Sequence, residues 1–297
     1  MRERAGFTPQ SGFTLVEAVI VIVITGIIGA VVAVFIRAPV QGYIDSAARA
    51  ELTDKADTAL RRIARDLRLA LPNSVRVAAD GKYLELLLTK TGGRYLAEED
   101  QPAGGNVLKF GTAVNCATTP ADCQFDVVGQ MPIGAPQTIV ADDSIVVYNL
   151  GPDLEAGNPA NAYGGGNRAL VTSVNGNTIT IATNPFAAQG PPMSSPSQRF
   201  QVVSTPVTYF CDGSDAGGSG QLVRYWNYAI QSAQPTAQPP GSASALLATG
   251  VQSCRFDYAG LANIQSGLVG LQISMQTPDS NSGTVTLSHQ VHVDNTP

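Results

Sequence analysis

The hydrophobic pattern changes twice along the chain. Residues 18–36, AVIVIVITGIIGAVVAVFI, are 19 successive positions without a charge. Roughly 20 apolar residues at 1.5 Å rise cross a hydrocarbon core about 30 Å thick. In lipid only a helix satisfies its own backbone, and a strand of that length in water is implausible. The run predicts a membrane-spanning helix over 13–36. A secretory signal would have a shorter apolar stretch ending at an A-x-A-like site; here RAPVQGY follows. From 41 to 71 the pattern turns amphipathic. Leu52, Ala56, Leu60, Ile63, Leu67 and Leu71 recur three and four apart, which predicts a helical extension over 37–71 with one apolar stripe. Pro72-Asn73 should stop it. Pro39 should kink or locally melt the helix, and Gly26, Gly29 and Gly42 should weaken it.

Beyond Pro72 the texture becomes strand-like. Short apolar or alternating runs occur at Val75–Ala78, Tyr83–Thr89, Gln137–Asn149, Ala169–Val174, Thr178–Ala182, Phe200–Val203, Val207–Phe210, Leu222–Ala229, Leu268–Met275 and Thr284–Val293. Turn-rich stretches separate them, and VTSVNGNTITIAT reads as a hairpin around Asn175-Gly176. The expected fold class is α+β: a long N-terminal helix, membrane-spanning in its first half and amphipathic in its second, packed on an antiparallel β-rich head over 72–297.

Charge sharpens this division. Of 297 residues, 14% are charged, against about 25% in an ordinary chain. The net charge is −5, which argues against a nucleic-acid binder working through a basic face. The 44% hydrophobic content excludes a disordered acidic chain. Twelve charges crowd into 37–71, while the 226 residues beyond hold 25, about 11%. Between Phe13 and Ile36 stands one charge, Glu17. A carboxylate beside a membrane segment is expensive and is functional by default. Its plainer role is an acid in a first helical turn, favoured by the macrodipole.

Glu17 closes the motif GFTLVE at Gly12–Glu17, directly before the apolar run. Motif and run together resemble the class III signal of type IV pilins and type II secretion pseudopilins. The resemblance implies that 1–12 is a cytoplasmic leader and that a prepilin peptidase cuts between Gly12 and Phe13. It also implies N-methylation of Phe13 and a role for Glu17 in assembly, its carboxylate pairing with the Phe13 ammonium of a neighbouring subunit. A second GFT, at Gly6–Thr8, is followed by polar residues rather than an apolar run. The stretch YIDSAARAELTDKADTALRRIARDLRLALPNSVRV at 43–77 is similar to MshO-type minor pilins of mannose-sensitive haemagglutinin (MSHA) pilus biogenesis. It is similar more loosely to J-type minor pseudopilins and PilW-like minor pilins. The implied protein is a non-enzymatic subunit of the inner membrane with a periplasmic head, taking part in priming or capping filament assembly. Its implied partners are other major and minor pilins, the prepilin peptidase and the assembly platform, with no nucleic acid. A type II secretion pseudopilin and a tip-located adhesin are the alternatives.

Four cysteines, Cys116, Cys123, Cys211 and Cys254, lie beyond the apolar run. In an exported head an even count favours disulfides, with three connectivities possible. Cys116–Cys123 would close a short polar loop, and Cys211–Cys254 would tie a strand end to a later strand. No C-x-x-C pair supports zinc. His289 and His292, three apart on a strand, should face opposite sides. The loop with Asp212, Ser214 and Asp215 hints at calcium but lacks an EF-hand ladder. Asp142-Asp143 is an adjacent acidic pair whose side chains should diverge on a strand. No nucleophile elbow, phosphate loop or dinucleotide fingerprint is present. Neither metal nor cofactor is expected.

Overall fold

A computed structural model describes residues 12–100, 104–112, 114–152, 157–213, 219–259, 266–276 and 283–297. Helix α1 (Leu15–Arg68) runs without interruption through Pro39, so the expected local melting does not occur. The described residues divide into two compact units, one up to Ala50 and the other from Glu51 onward. The second unit, which begins at Glu51, takes in the last helical turns because their stripe is buried: Leu52, Ala56, Ala59, Leu60, Ile63, Ala64 and Leu67 are at most 5% exposed.

The helix ends at Arg68 rather than Leu71. Leu71 N–H instead donates to the Leu87 carbonyl (2.7 Å), and Thr89 N–H donates to the Leu69 carbonyl (2.8 Å). A strand edge thus satisfies backbone groups that another helical turn would have used.

The β part contains β1 (Arg76–Val77), β2 (Tyr83–Tyr95), β3 (Gln124–Val128), β4 (Ser144–Val146), β5 (Arg168–Asn175), β6 (Thr178–Ile181), β7 (Arg199–Asp212), β8 (Gly220–Trp226), β9 (Ala243–Ala259), β10 (Ser266–Gln276) and β11 (Thr284–Asp294). All pairings between them are antiparallel. The long strands β2 and β7 pair along their whole length and belong to two assemblies. Their ends near Tyr83 and Phe210 lie in the sheet β1-β2-β7-β8-β9-β10-β11, whose inner face holds the helix. Their other ends enter a ring of pairings, β2-β3-β6-β5-β4-β7, that closes on itself as a six-stranded barrel. Phe125, Ile145, Val171, Ile179, Phe186, Phe200 and Val202 fill it.

Several strand expectations need correction. Phe200–Val203 and Val207–Phe210 are one strand, β7, despite Pro206. Pro206 falls between the stretch paired with β4 (201–203) and that paired with β8 (207–212), where β7 has a neighbour only on its β2 side. β2 continues past Thr89 through Gly92-Gly93. A Cβ on Gly93 would lie 2.8 Å from Phe200 Cζ, so only glycine admits that ring beside the strand. The run 137–149 contributes only three strand residues, because Asp142 turns the chain at φ 69°. β3 and β9 were not expected. β9 is rich in Ala, Ser and Gly, weak strand formers, and is held by neighbours on both sides.

Candidate functional site

The N-terminal junction is built locally by one cap. Gly12, Phe13 and Thr14 precede α1. The first helical bond runs from Ala18 N–H to the Thr14 carbonyl (3.1 Å). Glu17 N–H donates to Thr14 Oγ1 (3.3 Å). Thr14 is thus the N-cap and Glu17 the third helical residue, the T-x-x-E spacing of a capping box. That T-x-x-E spacing is visible in the sequence itself. The carboxylate also stands at the positive end of the helix dipole.

All side chains from Gly12 to Arg37 are exposed, Phe13 to 80%. This is the one helix among the described residues long and apolar enough to cross a membrane. A single-pass anchor carrying a globular head fits it. So does a signal sequence by length and composition. A core helix would be buried, whereas none of the most apolar 18-residue window is.

The structure joins Cys116 to Cys123 (Cα–Cα 5.5 Å) and Cys211 to Cys254 (Cα–Cα 6.2 Å). The first bridge closes a loop that leads into β3, with Cys123 buried in the barrel core. The second links β7 to β9 past the start of β8, at the rim of the helix-bearing sheet. His289 is half-buried in β11 and His292 is exposed, one step out of phase. Asp212 ends β7, while Ser214 and Asp215 lie outside the described residues. Asp143 is committed to structure: it pairs with Lys90 (2.7 Å) and accepts from Val140 N–H (2.9 Å). Among the described residues no three His, Cys, Asp or Glu side chains gather into a metal-binding group.

Two buried ionic clusters were not foreseen. On the helix-facing side, Asp66 (3% exposed) accepts from Tyr209 Oη at 2.7 Å and from Arg224 Nε at 2.8 Å. Arg224 Nη2 lies 2.8 Å from the same oxygen. Burial, with the Asp66 charge beside it, pushes the Tyr209 hydroxyl well above its usual range, so it remains a donor. Asp66 was legible: it follows Ile63 by three and sits on the stripe, where a charge needs a partner.

On the opposite face, Glu85 is fully buried. It accepts from Arg76 Nε (2.5 Å) and Tyr228 Oη (2.9 Å). Arg76 also donates to the carbonyls of Gln231, Ser232 and Ala233, and its guanidinium lies 3.6 Å from the Tyr163 ring centroid. Burial raises the Glu85 carboxyl despite Arg76 and Tyr228, which pull it down. These clusters fix the helix and the 231–233 loop to the sheet.

The described residues thus comprise an exposed apolar helical run behind a capped, acidic first turn, and a cross-linked, ion-locked head. Comparison with protein-family models, with curated proteins and with solved structures returns no match.

Proposed function

We propose that the chain is a minor type IV pilin-like subunit that takes part in MSHA-type pilus biogenesis, priming or capping filament assembly. It is made as a prepilin, cut after Gly12, methylated on Phe13 and held in the inner membrane by 13–36, with its head in the periplasm. The observation that carries the reading is the junction GFTLVE with the uncharged run behind it, whose apolar side chains are exposed among the described residues. Such a surface requires lipid or neighbouring helices of the same kind. Two disulfides favour an oxidising compartment for the head.

In this reading Glu17 acts between subunits. Cleavage creates a cation four residues before it, and in a low-dielectric helix core the two charges neutralise each other only if the axial stagger is right. The cap adds a control. The bond at Thr14 uses the backbone N–H of Glu17, so Glu17→Gln leaves it intact and removes only the charge.

Mass spectrometry of the mature N-terminus tests the core of the reading. Methylated Phe13 is expected; an intact Met1, or a cut after 36, refutes it. Glu17→Gln and Glu17→Val should both be cleaved normally yet fail to enter the filament complex. Normal incorporation of either removes Glu17 from assembly.

A further inference from the structure

One end of the six-stranded barrel opens into a cavity of about 540 Å³ with no part in the reading above. Three segments line it: the end of β2 with the short 3₁₀ turn Glu98–Asp100, the stretch around Phe110, and the approach to β7. Its inner wall is aromatic. Tyr95 and Phe110 both line it, their rings 5.6 Å apart.

Two features of the wall await a partner. The first is a pair of carboxylates. Of the three consecutive acids, Asp100 is neutralised by Arg94 (2.6 Å) and accepts from Ala97 N–H (3.1 Å). Glu98 and Glu99 both line the cavity and are exposed, and neither carboxylate has a hydrogen bond or ion pair among the described residues. The second is a buried hydroxyl. Ser195 lines the same cavity and is 4% exposed, yet its Oγ has no hydrogen-bond partner among the described residues. Its backbone N–H is used, donating to Tyr95 Oη (3.2 Å). A buried hydroxyl without a partner costs roughly 1–3 kcal/mol, so a ligand acceptor at that point would be rewarded. Burial lifts the Tyr95 hydroxyl to about 12, with Glu99 adding to the rise, so Tyr95 also stays a donor.

The complement of this wall is a cation that carries a hydrogen-bond acceptor. A basic residue within a peptide has both: its side chain supplies the charge and its backbone carbonyl the acceptor. We propose that this cavity binds a lysine or arginine side chain presented by a peptide segment of a partner protein. Glu98 and Glu99 take the charge, the Tyr95 and Phe110 rings flank the aliphatic stem, and Ser195 Oγ donates to the peptide carbonyl. The proposal stands independently of the N-terminal processing and of the pilus reading.

The test uses the full chain in detergent, titrated with acetyl-Gly-Arg-Gly-amide, acetyl-Gly-Lys-Gly-amide and acetyl-Gly-Gln-Gly-amide, and with a neutral methyl glycoside. The Arg and Lys peptides should bind about tenfold or more tightly than the Gln peptide, and more weakly as salt rises. Glu98→Gln with Glu99→Gln should abolish that preference. These exposed positions leave the fold intact, as the circular dichroism spectrum will report. Ser195→Ala, which keeps the backbone bond to Tyr95, should weaken the basic peptides about fivefold. Absence of binding by the basic peptides, equal binding of the Gln peptide, preference for the glycoside, or an unchanged preference in the double variant would each overturn the proposal.

Discussion

Asp66→Ala should be among the most damaging single substitutions in the head. It removes the acceptor of Tyr209 Oη and of two Arg224 nitrogens, at 2.7–2.8 Å. The Arg224 side chain is 9% exposed, so its charge would be left buried beside a small void. Breaking a buried pair in this way costs about 3–5 kcal/mol. Asp66→Asn keeps the shape and one acceptor oxygen, and should cost roughly 1–2 kcal/mol. For a body of this size 1 kcal/mol lowers Tm by about 2–4 °C, so the Ala variant should melt about 10 °C lower and the Asn variant about 4 °C lower. The assay is built in. Trp226 is the only tryptophan in the chain, and the Arg224 guanidinium lies 4.9 Å from its ring centroid. Its fluorescence therefore reports the site directly during thermal unfolding. Asp66→Leu with Arg224→Leu removes both charges and should recover most of the loss. An Ala variant melting within about 2 °C of the parent, or no lower than the Asn variant, would refute the assignment of Asp66 as the helix-to-sheet lock.

Two other outcomes follow from the same structure. Cys211→Ser with Cys254→Ser opens a separation of 43 residues, and chain entropy sets its loss at about 4 kcal/mol; Cys116→Ser with Cys123→Ser opens one of 7 and should cost about 2.4 kcal/mol. Urea midpoints of the two variants should fall in that order, and the reverse order would contradict the entropic account. Glu85 supplies a pH dependence. Its carboxyl is raised in the folded head, chiefly by burial, so its contribution is fully present below the unfolded pKa and is lost as pH rises through the folded value. The stability of the parent relative to Glu85→Gln should therefore be greater at acid than at neutral pH, read from urea midpoints; a difference that grows with rising pH would give the opposite sign and sink it.

The extent of the helix and the composition of its apolar run were legible because both depend on neighbours within a few turns. A 3.6-residue period, an uncharged stretch and a T-x-x-E cap are local, and α1 carries them through Pro39. The strands Arg168–Asn175 and Thr178–Ile181 were legible for the same reason, since Asn175-Gly176 closes them at short range. What the pattern misread was settled by distant partners. β9 is made of weak strand formers that pair only because β8 and β10 flank them. Pro206 and Gly92-Gly93 look like strand breakers, but they sit where β7 loses a neighbour and where the Phe200 ring needs room. Tertiary structure alone decided that β2 and β7 serve both a sheet and a closed barrel. It also decided that Asp66 meets Arg224 across 158 positions, and that Glu98, Glu99 and Ser195, without side-chain partners among the described residues, share a cavity. The physical reason is range. Backbone propensity and amphipathic period act over about four residues, while pairing a buried charge or closing a barrel depends on side chains that only the folded chain brings together.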